Sequence, residues 1–148
     1  MSRFESAKQQ YADWGVDAEF AIERALQVPI SIHCWQADDV TGLEVREGVI
    51  DSGGILATGN YPGRARCADE MRQDYDQVLA LVPGKHRLNL HAIYAETAGR
   101  SIPRDAIDVE HFQNWLQWGM ARGIALDFNP TYFGHANAAS GFTLSHSD

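Results

Sequence analysis

The sequence predicts an α/β fold with a parallel sheet, on two observations. Three apolar runs each finish in residues able to touch a ligand: Pro29-Ile-Ser-Ile-His-Cys-Trp35, Arg87-Leu-Asn-Leu-His-Ala-Ile-Tyr94 and Ile124-Ala-Leu-Asp-Phe-Asn-Pro130. Stretches with helical periodicity separate them. Parallel strands need a long crossover, usually a helix, so a strand–helix–strand–helix–strand order implies a parallel sheet. Ligands in such folds sit at the carboxyl ends of the strands. His33, Trp35, His91, Tyr94, Asp127 and Asn129 all fall there.

The elements follow in order. Residues 3–13 read as a short polar helix, and Asp17 as the N-cap of a second helix, 18–27, carrying Phe20, Ile22 and Leu26. Pro29 ends that helix and leads into a strand over 30–35. The connection 36–64 is dense in glycine and aspartate, and its stretch Ala57-Thr-Gly-Asn-Tyr-Pro-Gly63 reads as a turn-rich loop around Tyr61. A loop of that length is either a lid over the strand ends or a surface loop held by its aromatic. Met71, Tyr75, Val78, Leu79 and Val82 share one face of a helix over 65–82, which Pro83-Gly84 stops. In a second strand, 87–93, Asn89 and His91 alternate with Leu88 and Leu90, so the two polar residues face away from the helices. Asp105 or Asp108 caps a helix running to about residue 122, with Phe112, Trp115, Leu116 and Gly119 on one face and Gly123 at its end. The third strand is 124–128, and residues 130–148 show no clear element.

One domain is expected from 148 residues, with 1–28 as leading helices and 29–148 as three strands with their connecting helices. A βα chain ending after its third strand lacks the helix that covers it and leaves an edge open. The expectation is therefore the first part of a longer (β/α) protein, against the alternative of a complete three-stranded domain. The net charge of −8 lacks the basic footprint of a nucleic-acid partner. The polar N-terminus has no signal-like apolar region, and no apolar run reaches the length of a membrane span. Cys34 and Cys67 show no metal-like spacing and read as two reduced thiols of a cytoplasmic protein.

The chemistry on offer centres on the strand ends. His33, His91 and His135 are candidate metal ligands or hydrogen-bonding groups, although Asp38, Asp39 and Asp127 are poorly placed to complete a metal site and no His-Glu-x-x-His spacing occurs. Trp35, Tyr94 and Phe133 each follow a strand end, and with His91 and Asn129 they have the makings of a pocket with apolar walls and a few placed polar groups. Aromatics capping the core would give the same pattern. There is no glycine-rich phosphate loop and no nucleophile elbow.

Five blocks, in order, resemble the N-terminal part of the L-rhamnose isomerase family: Ser31-Ile-His-Cys-Trp-Gln-Ala-Asp-Asp-Val40, Ala57-Thr-Gly-Asn-Tyr-Pro-Gly63, Arg87-Leu-Asn-Leu-His-Ala-Ile-Tyr94, Leu126-Asp-Phe-Asn-Pro130 and Gly141-Phe-Thr-Leu-Ser-His146. Glu110-His-Phe-Gln-Asn-Trp115 fits as well. The resemblance implies a (β/α)8 TIM-type barrel, a homotetramer in the cytoplasm, and isomerisation of L-rhamnose to L-rhamnulose with a divalent metal, typically manganese (Mn2+). It implies that the metal ligands and catalytic carboxylates come from later strands, outside this chain. His91 aligns with a sugar-contacting histidine, Trp35, Tyr94 and Phe133 with pocket aromatics, and the Tyr61 loop with a region near the pocket mouth. This chain alone is then expected to be inactive and poorly stable. Two other readings remain open at this point: a non-catalytic sugar-binding α/β module, and a barrel hydrolase with His33 and His91 as metal ligands.

Overall fold

The computed structural model describes residues 1–33, 42–45 and 65–130. Two helices lead the chain: α1 (Arg3–Asp13), whose N-cap Ser2 accepts from the Glu5 amide, and α2 (Ala18–Gln27), whose N-cap Asp17 accepts from the Phe20 amide. Each cap supplies one of the acceptors that the first turn of a helix lacks. Neither helix buries a residue fully, and Phe4, Trp14, Phe20 and Ile22 stay exposed.

Three parallel strands follow: β1 (Ile30–Ile32), β2 (His86–His91) and β3 (Ala125–Asn129), in the order β1-β2-β3. The predicted parallel α/β architecture is therefore present, as an open sheet among the described residues. β1 is shorter than expected, with His33 just beyond it, and residues 34–35 lie outside the described residues. β2 is shorter than 87–93 at its far end because the chain turns into a single 3-10 turn, Ala92–Tyr94. The register pairs Ile32 with Leu88, Leu88 with Leu126, Asn89 with Asp127 and His91 with Asn129.

Helix α3 (Ala68–Leu81) and helix α4 (Gln113–Arg122) connect the strands. The core joins Met71 and Tyr75 of α3, Leu88 and Leu90 of β2, and Trp115 and Trp118 of α4. Tyr75 meets Trp115 edge-on at 6.4 Å, and Trp115 meets Trp118 edge-on at 6.3 Å, a favoured aromatic geometry. The helices therefore cover the Leu88/Leu90 face. Gly119 permits the close approach of α4 to the start of β3, since a Cβ there would stand 3.1 Å from the Ile124 carbonyl oxygen and 3.3 Å from the Leu126 side chain.

Several element edges differ from expectation. α3 begins at Ala68, three residues late, and Val82 is an exposed cap residue outside its packing face. Two 3-10 turns, Arg104–Ala106 and Val109–Phe112, precede α4, and of the two candidate caps it is Asp108 that accepts from a following amide. Trp118 is buried in α4 and Leu116 only partly, because positions 115, 118 and 119 share a helix face while 116 stands about 100° from 115.

A short piece of the long β1–α3 connection is fixed over the end of β2. The Leu43 amide donates to the Ile93 carbonyl at 2.8 Å. Arg104 and Glu44 form an ion pair at 2.6 Å with side chains only 9% and 13% exposed. Gly42 sits at φ +52 with no room for a Cβ, which would stand 2.6 Å from the Ile93 carbonyl oxygen.

The centre of the core is Trp115, fully buried, with its indole N–H donating to the Tyr94 carbonyl at 3.1 Å. Trp115→Ala is expected to destabilise the fold by about 3–5 kcal/mol, read as a lowered urea midpoint at unchanged slope. A loss below about 1 kcal/mol would show that the three-element core does not carry the fold.

Candidate functional site at the strand ends

Alternation along β2 sorts the side chains. Leu88 and Leu90 go to the helices, while Asn89 and His91 go to the opposite face, joined by Asp127 and Asn129 of β3 through the register. His33, one residue past β1, reaches the same face. Its Nδ1 lies 3.1 Å from His91 Nε2, and its Nε2 lies 2.9 Å from the Asn89 side-chain nitrogen. The expectation that Asn89 and His91 share a polar face is met.

His91 is 4% exposed. Its ring stacks on Tyr94, centroids 4.9 Å apart and planes 22° from parallel. Tyr94 is itself 1% exposed and tied through its carbonyl to Trp115. The His91 ring is thus backed by a rigid aromatic stack anchored in the core. Burial, with a smaller contribution from the facing His33, lowers its pKa to about 4. At neutral pH His91 is an uncharged imidazole, one nitrogen donating and the other accepting.

Asp127 is engaged elsewhere. Both its carboxylate oxygens take the Arg87 guanidinium, at 2.5–2.9 Å. Arg87 lies two residues before Asn89 on the same face, so the pair is diagonal across the β2–β3 ladder. The guanidinium holds the Asp127 carboxyl down at about 2, with Ser31 adding to the effect. Asp127 is therefore a fixed anion in an ion pair. Sequence spacing gave no sign of this partnership across 40 positions; the strand register creates it. The His33–Asn89 contact was hidden for the same reason.

Of the candidate sugar contacts, His91 and Tyr94 come together at the end of β2. Trp35 and Phe133 lie outside the described residues, as do Tyr61, Asp38, Asp39 and His135. Among the described residues no group of three or more histidine, cysteine, aspartate or glutamate side chains is arranged to hold a metal ion. His33 and His91 contact one another as a pair.

The pH behaviour of His91 has a definite sign. An unfolded chain takes up a proton on this ring near 6.5, whereas the folded chain does so only near 4. Between those values the unfolded state binds more protons, so the His91 contribution lowers stability as pH falls from about 6.5 to 4. In a proton NMR titration the His91 ring is expected to keep its neutral shift through pH 5. A midpoint above 6 would show that the ring is solvated.

The chain matches the L-rhamnose isomerase family over residues 1–148. It is 52% identical over 145 residues to the L-rhamnose isomerase of Rhodopirellula baltica, 54% identical to that of Salmonella gallinarum and 53% identical to one from Escherichia coli. Each match covers 98% of this chain and 34% of the relative, so the chain spans about a third of the length of the curated relatives it matches. This protein belongs to the L-rhamnose isomerase family.

Proposed function

We propose that this chain forms the leading helices and the first three strands, with their connecting helices, of an L-rhamnose isomerase, a (β/α)8 barrel that interconverts the aldose L-rhamnose and the ketose L-rhamnulose. The observation that carries the reading is a neutral, buried His91 at the carboxyl end of the central strand, in a chain that matches the family along its whole length. Consecutive parallel strands lying side by side in chain order are also how such a barrel begins.

In this reading His91 hydrogen-bonds a sugar hydroxyl. Trp35, Phe133 and Tyr94 supply the apolar walls, Tyr94 from beneath the His91 ring. A neutral imidazole suits the task, because a hydroxyl both donates and accepts and needs no charge to be held. Pairing with Arg87 keeps the Asp127 carboxylate from competing for the sugar.

The manganese ion of the family resemblance finds no ligand set among the described residues, and we assign its ligands to later strands of the longer protein. The ion's part in such an isomerase is to polarise the sugar oxygens. No step of that chemistry falls to His33, His91 or Asp127. We further assign the whole protein to the cytoplasm as a homotetramer; no helix among the described residues is long and apolar enough to cross a membrane. A non-catalytic sugar-binding module is the competing reading, favoured by the neutral hydrogen-bonding groups at the strand ends.

Two experiments separate these. A polypeptide of residues 1–148 with L-rhamnose and Mn2+ is expected to give no L-rhamnulose; turnover would place the metal site within this chain. A chimera in which these residues replace the matching stretch of the Rhodopirellula baltica relative is expected to turn over L-rhamnose, and His91→Phe in it to lower kcat/KM by about tenfold or more. A chimera that folds and binds the sugar without turnover would favour the binding module.

A further inference from the structure

The contacts Asn89–His33–His91 determine which nitrogen of His91 carries the hydrogen. The Asn89 side-chain nitrogen only donates, and it lies 2.9 Å from His33 Nε2. That Nε2 therefore accepts, which leaves the His33 ring hydrogen on Nδ1. His33 Nδ1 lies 3.1 Å from His91 Nε2. His33 donates across this gap and His91 Nε2 accepts. His91 then holds its own hydrogen on Nδ1. That nitrogen is buried and has no hydrogen-bond partner among the described residues, in a side chain fixed from one side by the Tyr94 stack. A buried donor without a partner is unfavourable until an acceptor arrives.

We propose that His33, held by Asn89, is a positioning residue that fixes His91 in its Nδ1–H form, so that this N–H is presented to an oxygen of the bound sugar. The proposal rests on reading His91 as the sugar contact. His33 acts through His91: it sets the direction of the hydrogen bonds, and Asn89 sets the direction of His33. Asn89 is placed for this by the same strand alternation that places His91, two residues along β2. The arrangement gives a neutral histidine one tautomer where, with neither neighbour, the ring could adopt two.

The test uses the chimera carrying residues 1–148 in place of the matching stretch of the Rhodopirellula baltica relative. His33→Leu removes the donor facing His91 Nε2; His33→Asn restores an N–H at about the position of the imidazole Nδ1. His33→Leu is expected to raise KM for L-rhamnose about tenfold with little change in kcat, the mark of a lost binding contact. His33→Asn is expected to recover most of that loss. In a His91→Phe background His33→Leu is expected to add nothing, because both changes remove the same contact. Nitrogen-15 spectra of histidine-labelled protein, which need no turnover, are expected to show His91 protonated on Nδ1 in the parent and in His33→Asn, and a mixture of Nδ1–H and Nε2–H forms in His33→Leu.

Equal losses in His33→Asn and His33→Leu, or losses that multiply with His91→Phe, would overturn the proposal, as would a parent protein with His91 protonated on Nε2. Should His91→Phe leave both KM and kcat unchanged, the sugar-contact reading fails by itself. The nitrogen-15 comparison then decides the positioning role alone.

Discussion

The alternation of β2 is the constraint on which the rest of the structure depends. β2 is the central strand, paired on both sides, so the parity of its residues is imposed on the whole sheet. Leu88 and Leu90 must meet α3 and α4 to build the core. Asn89 and His91 are thereby sent to the other face, with Asp127 and Asn129 opposite them. A slip of one residue would exchange the faces, putting an asparagine and a histidine among Tyr75, Trp115 and Trp118 and two leucines at the ligand end. The apolar burial that holds the helices to the sheet therefore also holds the site residues in place.

Rigidity at the site has the same origin. The His91 ring rests on Tyr94, the Tyr94 carbonyl accepts from Trp115, and Trp115 lies at the centre of the core. The next residue back, Ile93, accepts from the Leu43 amide, and Arg104 beyond it grips Glu44. Breaking a buried ion pair by removing one partner leaves the other charge stranded, a cost of about 3–5 kcal/mol. The short segment 42–45 is thus secured to the end of β2 by backbone, packing and charge together. A side chain held this way gives up little further freedom on binding a ligand, which is how preorganisation raises affinity.

Much of this was legible in the sequence where the signal is local. The 18–27 helix and its Asp17 cap stand where predicted, because capping is a three-residue affair. Gly123 ends α4 in the left-handed conformation, φ +65, as its position implied. The polar face of Asn89 and His91 followed from a period of two. The misses share a different cause. Val82 fits the helical period of α3 but falls past the turn where the chain leaves the helix. Trp118, three residues after Trp115, packs on the same face as Trp115 and Gly119, whereas Leu116 is turned about 100° from Trp115 and is only partly buried. The Arg87–Asp127 pair and the Asn89–His33 contact join residues 40 and 56 positions apart, and only the strand register brings them together, whereas the meeting of His33 and His91 at neighbouring strand ends, 3.1 Å apart, was expected from the sequence. For the site, sequence resemblance singled out His91 and Tyr94, whereas the physical reason for His91 being neutral appeared only with its burial.

In the proposed reading, the electrostatics of the strand ends bear on how work is divided within the whole isomerase. His91 stays uncharged down to about pH 4, and Asp127 is neutralised by a two-oxygen contact with Arg87. Asn89 and Asn129 carry no charge at all. The described residues Asn89, His91, Asn129 and the paired Asp127 therefore offer directed hydrogen bonds with no unbalanced charge. Such a surface is suited to holding hydroxyls, whose pattern of donors and acceptors distinguishes one sugar from another, and ill suited to moving protons, which needs groups whose charge changes near the working pH. In the proposed barrel, an uncharged stretch here would also leave undisturbed the field of any cation and carboxylates placed across from it. A barrel assembled with recognition on its first strands and charged chemistry on its later ones keeps the two kinds of group apart. A charged residue introduced at the Asn89 or Asn129 position would then alter the chemistry of groups it never touches, because field effects inside a low-dielectric site reach further than hydrogen bonds.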